Sequence, residues 1–361
     1  MRDFAYARAG TPESAAGALA DPRTLVIAGG TELLNWFRLG IAAPDRVVDI
    51  GGLDELRGIA VDGDELRVGA LATLNEIGEH PLVTRTAGAL ASACLQAASA
   101  QIRNRATIGG NVLQRTRCPY FRAEEPLPWP CSKRDPGSGC MSLAGRHERQ
   151  AIFGWTQDCV AVQPSDPAVA LAMLDAQADV LGPAGPRTIP MREFHLTQRE
   201  AADAGEPMRE TRLGPGELIT GYRLPVSPGG QAYVKVRERA SYEYAIVSAA
   251  AAVRLEEDRL DGDRLDGDRL DGARAAGARG PRREAARIAA ARVALGSVAQ
   301  RPWRLTAAEA ELPGTPLTRE ALIPVIERAM ADAVPLPQNG FKVLMARNAA
   351  VRALLMAGGA R

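Results

Sequence analysis

The first 225 residues alternate short apolar runs with stretches in which apolar residues recur every three or four positions, the pattern of brief strands separated by helices. Phe4-Ala5-Tyr6-Ala7 reads as a short opening strand. A helix over Glu13 to Ala20 follows, with Thr11 as N-cap and Pro12 in its first turn, and Asp21-Pro22 ends it. Thr24 to Ala28 is apolar enough for a buried strand. It runs into Gly29-Gly30-Thr31 and a helix from Glu32 to Leu39, closed by Gly40. Strands are expected over Arg46 to Ile50 and Leu66 to Ala70, with a helical turn at Leu53 to Leu56 between them and a Thr73-capped helix after them. One longer helix is expected from Leu82 to Ala100. Further on, Asp158 to Val162 reads as a strand, and Ser165-Asp166-Pro167 caps a helix over Ala168 to Ala176. Ala178 to Leu181 and Gly216 to Thr220 read as strands.

A composition shift at Pro225 to Gly230 marks an expected domain boundary. Around and beyond it, Gln231 to Glu238 and Tyr244 to Leu255 are strand-like, and Ile288 to Val298 is the expected hairpin partner of the latter. Arg319 to Ala333 and Phe341 to Met356 are amphipathic helices. A tandem repeat, Asp-Arg-Leu-Asp-Gly three times from Asp258 to Gly272, lies between the hairpin strands. It echoes a calcium loop at Asp261, Asp263 and Asp266-Gly267. The closing Glu is missing, because Gly272 stands at that position, so a solvated loop extension is the expectation.

At 361 residues and 46% hydrophobic, the chain can build two or three cores. A formal net charge of +1 gives no reason to expect nucleic acid or an anionic membrane as partner. Only three of the 44 basic residues are lysine (Lys133, Lys235 and Lys342), so a lone arginine carries little meaning here. The N-terminus has no apolar segment of signal-peptide type, and the longest uncharged run, Thr86 to Ile102, is too polar for a membrane span. The five cysteines do not suggest a disulfide scaffold. Four of them, Cys118, Cys131, Cys140 and Cys159, lie in a Gly/Pro-rich region where metal ligation is favoured over core packing. Cys94 reads as a buried thiol in an Ala-rich helix.

Catalytic constellations are scarce. His80, His147 and His195 belong to no triad or zinc motif and are expected at surface or capping positions. The chain has no Walker A sequence and no Gly-x-Gly-x-x-Gly, so the chemistry must come from a cofactor. Two loops can hold one. Val26-Ile27-Ala28-Gly29-Gly30-Thr31-Glu32-Leu33 joins a strand to a helix, where backbone N–H groups meet a phosphate; the same geometry also serves as a plain tight turn. Thr107-Ile108-Gly109-Gly110-Asn111 can approach the same ligand from a second lobe.

The string Gln101-Ile-Arg-Asn-x-x-Thr107-Ile-Gly-Gly-Asn111, with Val26 to Leu33 upstream, resembles the FAD-binding subunit of the xanthine dehydrogenase and molybdenum hydroxylase family. The resemblance covers nearly the whole chain. It implies an α+β fold: a two-subdomain FAD-binding unit of the vanillyl-alcohol-oxidase type over residues 1–224, divided near residue 56, then a small C-terminal α+β domain over 225–361. It carries FAD contacts to Asp166, Ile219 and Lys235. A helix cap, a strand core residue and a solvated lysine are their plain readings, and Leu218 competes with Ile219. At Ala97, relatives can carry an aromatic flavin contact.

The cysteines, spaced C-x12-C-x8-C-x18-C within a loop at 115–160, are similar to the branch of periplasmic aldehyde oxidoreductases. There the FAD subunit holds a [4Fe–4S] cluster. The implied partners are a molybdenum–pterin large subunit and a small subunit with two [2Fe–2S] clusters, in the cytoplasm or in the periplasm by co-export. The implied activity is electron transfer from aldehyde oxidation to an external acceptor. The rivals are a stand-alone flavin oxidase of the same fold and a non-catalytic scaffold with a four-cysteine zinc site, although the close C-x2-C pairs usual for structural zinc are absent.

Overall fold

The computed structural model describes residues 2–226, 229–256 and 286–359. Three sheets form, each with its own apolar core. The first is parallel, in the order β1-β3-β2, from β1 (Ala5–Arg8), β2 (Thr24–Ile27) and β3 (Arg46–Asp49). Parallel neighbours need crossovers, supplied here by the helices Pro12–Ala18 and Leu33–Arg38. Thr11 caps the first in a reciprocal box with Ser14, and Ala15, Ala16, Ile50, Leu53 and Leu56 bury the apolar faces.

The second sheet is antiparallel, in the order β4-β5-β8-β6-β7. Its strands are β4 (Ile59–Asp62), β5 (Glu65–Gly69), β6 (Gln177–Gly182), β7 (Gly185–Pro190) and β8 (Leu218–Pro225). Its core is closed by the helices Leu74–Glu79, Gly88–Gln96 and Asp166–Met173. Cys94 lies fully buried there, as expected. The third sheet, β12-β11-β10-β9, comprises β9 (Gly230–Val236), β10 (Val247–Leu255), β11 (Ile288–Gly296) and β12 (Trp303–Arg304). The expected pairing of β10 with β11 is present, with Ser248 opposite Gly296. The helices Phe341–Ala357 and Arg319–Ala329 pack on this sheet.

Two expected elements take other forms. The single helix from Leu82 to Ala100 is three: Pro81–Thr86, Gly88–Gln96 and Ala100–Arg103. Ala87 leaves helical geometry at φ −137°, ψ 50°, and Ala98 turns left-handed at φ +45°. Ser99 then caps a fresh helix by accepting from the Ile102 amide at 3.4 Å. The strand at Asp158 to Val162 shrinks to one bridge between Thr156 and Cys159. Its backbone is spent on loops instead: Val160 O accepts from Ala151, and Gln163 N donates to Ala299 O. The Asp258–Gly272 repeat lies outside the described residues.

The histidines also correct the expectation. His80 does cap a helix, through Nδ1 and the Leu82 amide. His147 and His195 are buried rather than exposed. The His195 ring meets Val112 O at 2.9 Å, and burial pushes its pKa down to about 4.

Lys342 ties the C-terminal helix to the rest of the chain. Its buried Nζ donates to the carbonyls of Arg149 (3.0 Å), Gln150 (2.8 Å) and Ser297 (2.6 Å). Asn339 Nδ2 donates to Gln150 O and Ala151 O alongside it. No helix among the described residues is long and apolar enough to cross a membrane.

Candidate functional site

A cavity of about 590 Å³ opens between the first two sheets and is flanked by residues of the third domain's first loop. Both glycine loops line it. From the first come Val26, Ile27, Ala28, Gly29, Gly30, Thr31, Glu32 and Leu33; from the second, Thr107, Gly109, Gly110 and Asn111. Asp166, Ile219, Leu218 and Ala97 line it as well. Ile108 does not, because it is wholly buried in the second core.

The glycines do different work. Gly30 has φ +73°, a conformation that L side chains rarely adopt. A Cβ on Gly29 would lie 1.8 Å from Arg105 O, so that glycine lets the two lobes touch rather than admitting a ligand. Gly110 is exposed to the cavity, and a Cβ there would meet only Thr107 Oγ1, at 3.2 Å. The amides of Gly30, Thr31 and Glu32 donate to no acceptor among the described residues. They stand where a strand feeds a helix and are available to an anionic ligand. A second cavity, about 750 Å³ and polar, shares Ala28, Gly29, Leu71 and Thr107 with the first. The two glycine loops thus form a waist between two open spaces.

Lys235 stands one layer behind the wall. Its Nζ donates to Asp166 Oδ2 at 2.7 Å and to Gln96 O at 3.0 Å, and Tyr233 donates to Asp166 Oδ1 at 2.5 Å. Burial raises the Asp166 pKa, against the opposing pull of Lys235 and Tyr233. Ser165 caps this helix by accepting from the Ala168 amide and donates to Asn111 Oδ1 at 2.7 Å, which joins Asp166 to the second glycine loop. In Lys235→Met the carboxyl loses its countercharge inside the protein, a change that costs about 3–5 kcal/mol. Its folded pKa then stands further above the unfolded one. The loss should be small below pH 4 and grow as pH rises through the raised folded value. Melting temperatures of the two proteins at acid and neutral pH check this.

Sequence reasoning missed several lining groups: Arg117, Gln114, Trp36, Tyr242 and Tyr244. The Tyr-x-Tyr pair was the available signal, in a chain only 4% aromatic. Arg117 Nη2 donates to Glu32 Oε2 at 2.7 Å and to Gln114 Oε1 at 2.9 Å. Arg122 also pairs with Glu32, and Trp36 Nε1 donates to it at 2.7 Å. Burial opposes the charge on Glu32, but the two guanidiniums hold its pKa below the usual carboxylate range.

The cysteines come together. Cys118, Cys131, Cys140 and Cys159 all line one small pocket, and Cys131 and Cys140 face each other in an antiparallel bridge. Burial raises the thiol pKa of Cys118 to about 12 and raises those of Cys131 and Cys140. Among the described residues, no three His, Cys, Asp or Glu side chains are arranged to hold a metal ion. Thr116 and Cys118 line this pocket while Arg117, between them, lines the larger cavity, so one extended segment serves both. Half-buried Glu210 accepts from Lys133 at 2.7 Å and Arg115 at 3.1 Å.

Two lobes bring their glycine loops to one cavity, and a third sheet-and-helix unit follows. The chain matches the family described as the FAD binding domain in molybdopterin dehydrogenase over residues 2–227, and that of the CO dehydrogenase flavoprotein C-terminal domain over residues 268–357. It is 37% identical to the aldehyde oxidoreductase FAD-binding subunit of Escherichia coli (strain K12), covering 96% of both chains. It is 27% identical to that organism's putative xanthine dehydrogenase FAD-binding subunit, covering 71% of this chain and 70% of the relative. In fold it is similar to the carbon monoxide dehydrogenase of Hydrogenophaga pseudoflava, with a TM-score of 0.69 at 24% identity over 99% and 98% of the two chains. The chain therefore belongs to the FAD-binding subunits of the molybdenum hydroxylase family, which are components of oxidoreductases.

Proposed function

We propose that this chain is the FAD and [4Fe–4S] electron-transfer subunit of a heterotrimeric molybdenum-dependent aldehyde oxidoreductase. Its partners are a molybdenum–pterin large subunit and a small subunit with two [2Fe–2S] clusters. The observation that carries the reading is the shared segment Thr116-Arg117-Cys118, which borders the four-thiol pocket on one side and the flavin cavity on the other. The relative at 37% identity is by name an aldehyde oxidoreductase subunit, which supports the substrate class.

When bound, FAD would supply two-electron chemistry between the partner subunits and an external acceptor. The chain's own residues bind and orient it. The amides of Gly30, Thr31 and Glu32 and the approach at Gly110 suit the pyrophosphate at the waist. The apolar wall at Ala97, Leu218 and Ile219 excludes water, and Asp166, held by Lys235, fixes the polar edge. Four thiols match one [4Fe–4S] cluster in number. Cluster assembly must expel the thiol protons. Residues 1–224, with subdomains meeting near 56, form the FAD-binding unit, and 225–361 the C-terminal domain.

The visible spectrum and metal content of the purified complex test the reading. Flavin bands over a broad iron–sulfur shoulder are expected. Flavin alone would favour the stand-alone oxidase, and zinc with no colour the scaffold; either would overturn the proposal.

A further inference from the structure

The guanidinium of Arg117 is more richly placed than a loop arginine needs to be. It lies 4.6 Å over the Tyr244 ring, and its Nη2 is shared between Glu32 and Gln114. Its Nε is buried and has no acceptor among the described residues. That nitrogen is closed off from the cavity, so contact with a bound molecule falls to the rest of the Arg117 side chain, which lines it. Charge points the same way. Two arginines, Arg117 and Arg122, meet one carboxylate, Glu32, while Glu243, which also lines the cavity, is held by Arg149.

Two parts of a bound dinucleotide carry acceptors with negative charge, the pyrophosphate and the ring. The amides of the glycine loops already answer the first. Of the aromatic side chains lining the cavity, two are grouped with Arg117: Tyr244 under its guanidinium, and Trp36 on the same Glu32. A flat heteroaromatic ring suits such surroundings.

We infer that Arg117 is a redox-tuning residue whose guanidinium faces the acceptor edge of the flavin ring and stabilises the reduced, anionic ring. The inference rests on the flavin reading of this cavity. On reduction the oxidised ring takes up two electrons from a partner's iron–sulfur centre and one proton from solvent. It gains one negative charge, which the fixed cation offsets. The reduced state is thereby favoured and the flavin potential rises. Because Arg117 immediately precedes Cys118, the segment that carries a cluster ligand also sets the potential of the electron acceptor.

The experiment is a spectroelectrochemical titration of the flavin in the purified complex, with FAD and iron content measured in each sample. In Arg117→Gln the ratio of reduced to oxidised flavin, at the wild-type midpoint, should fall about tenfold, or about 30 mV for a two-electron couple. Arg117→Lys keeps the charge and should shift it less than half as far. Tyr244→Leu removes the stacking face but not the charge and should stay close to wild type. An unchanged midpoint in Arg117→Gln, measured at saturating FAD, overturns the assignment, and weaker FAD binding with that unchanged midpoint would move Arg117 to the phosphates. An equal shift in Tyr244→Leu would also overturn it, by tracing the effect to repacking. If Arg117→Gln cannot be loaded, a full tenfold shift in Arg117→Lys would show that geometry rather than charge governs and would sink the assignment. Wild-type protein without FAD would instead refute the cavity's flavin reading.

Discussion

Gly110→Val should give a folded protein that has lost its flavin. The substitution is clean because of where the side chain would go. A Cβ at Gly110 meets only the Thr107 hydroxyl, at 3.2 Å, and the residue faces the cavity. Its φ is not among the positive values, so the backbone accepts valine without left-handed strain. The cost should therefore fall on the ligand, whose closest approach to the second loop is blocked, with FAD content falling at least tenfold. The contrast is with Gly29→Ala and Gly30→Val. The first drives a methyl into Arg105 O and the second meets a positive φ, so both should lower thermal stability as well as flavin content. FAD released on denaturation, with a melting curve for each variant, separates the cases. Stoichiometric FAD in both Gly30→Val and Gly110→Val would refute the two-lobe grip.

The second large effect is expected at the thiols. Changing Cys118, Cys131, Cys140 or Cys159 singly to Ser should remove about four irons per complex, since each is proposed as one of four ligands to one cluster. Cys94→Ala should remove none, because that thiol is enclosed in the second core, away from the pocket. Iron and acid-labile sulfide in purified complexes provide the readout. Loss of iron in Cys94→Ala, with retention in any one of the four, would show the ligand set to be wrong.

The convergence of the two glycine loops on one cavity was legible because both announce themselves locally. A strand, two glycines and a capped helix are readable from a dozen residues, and Gly40, at φ +70°, closes the helix as its position suggested. The four cysteines were legible by count and composition, and they do converge. What escaped was set by distant partners. Edge strands β4 and β7 show too little burial for an alternating pattern, with Ala60, Val61 and Asp62 exposed in one and Pro186, Arg187 and Thr188 in the other. Burial of His195 depends on Val112 O, 83 residues away. The roles of Arg117 and Tyr244 depend on Glu32 meeting the cysteine loop across the fold. An arginine-rich sequence hides such a residue among its equivalents, and only the pairing with Glu32 singles it out.

The bond from Lys342 to the Arg149 and Gln150 carbonyls has a consequence in time. Those residues lead into Cys159, yet their partner is made 193 and 192 residues later. During synthesis the first three cysteines emerge long before the segment that seats the approach to the fourth. The backbone ahead of Cys159 thus gains this anchor only after the helix from Phe341 has formed and docked. For the proposed cluster, delivery is expected late, on a nearly finished chain.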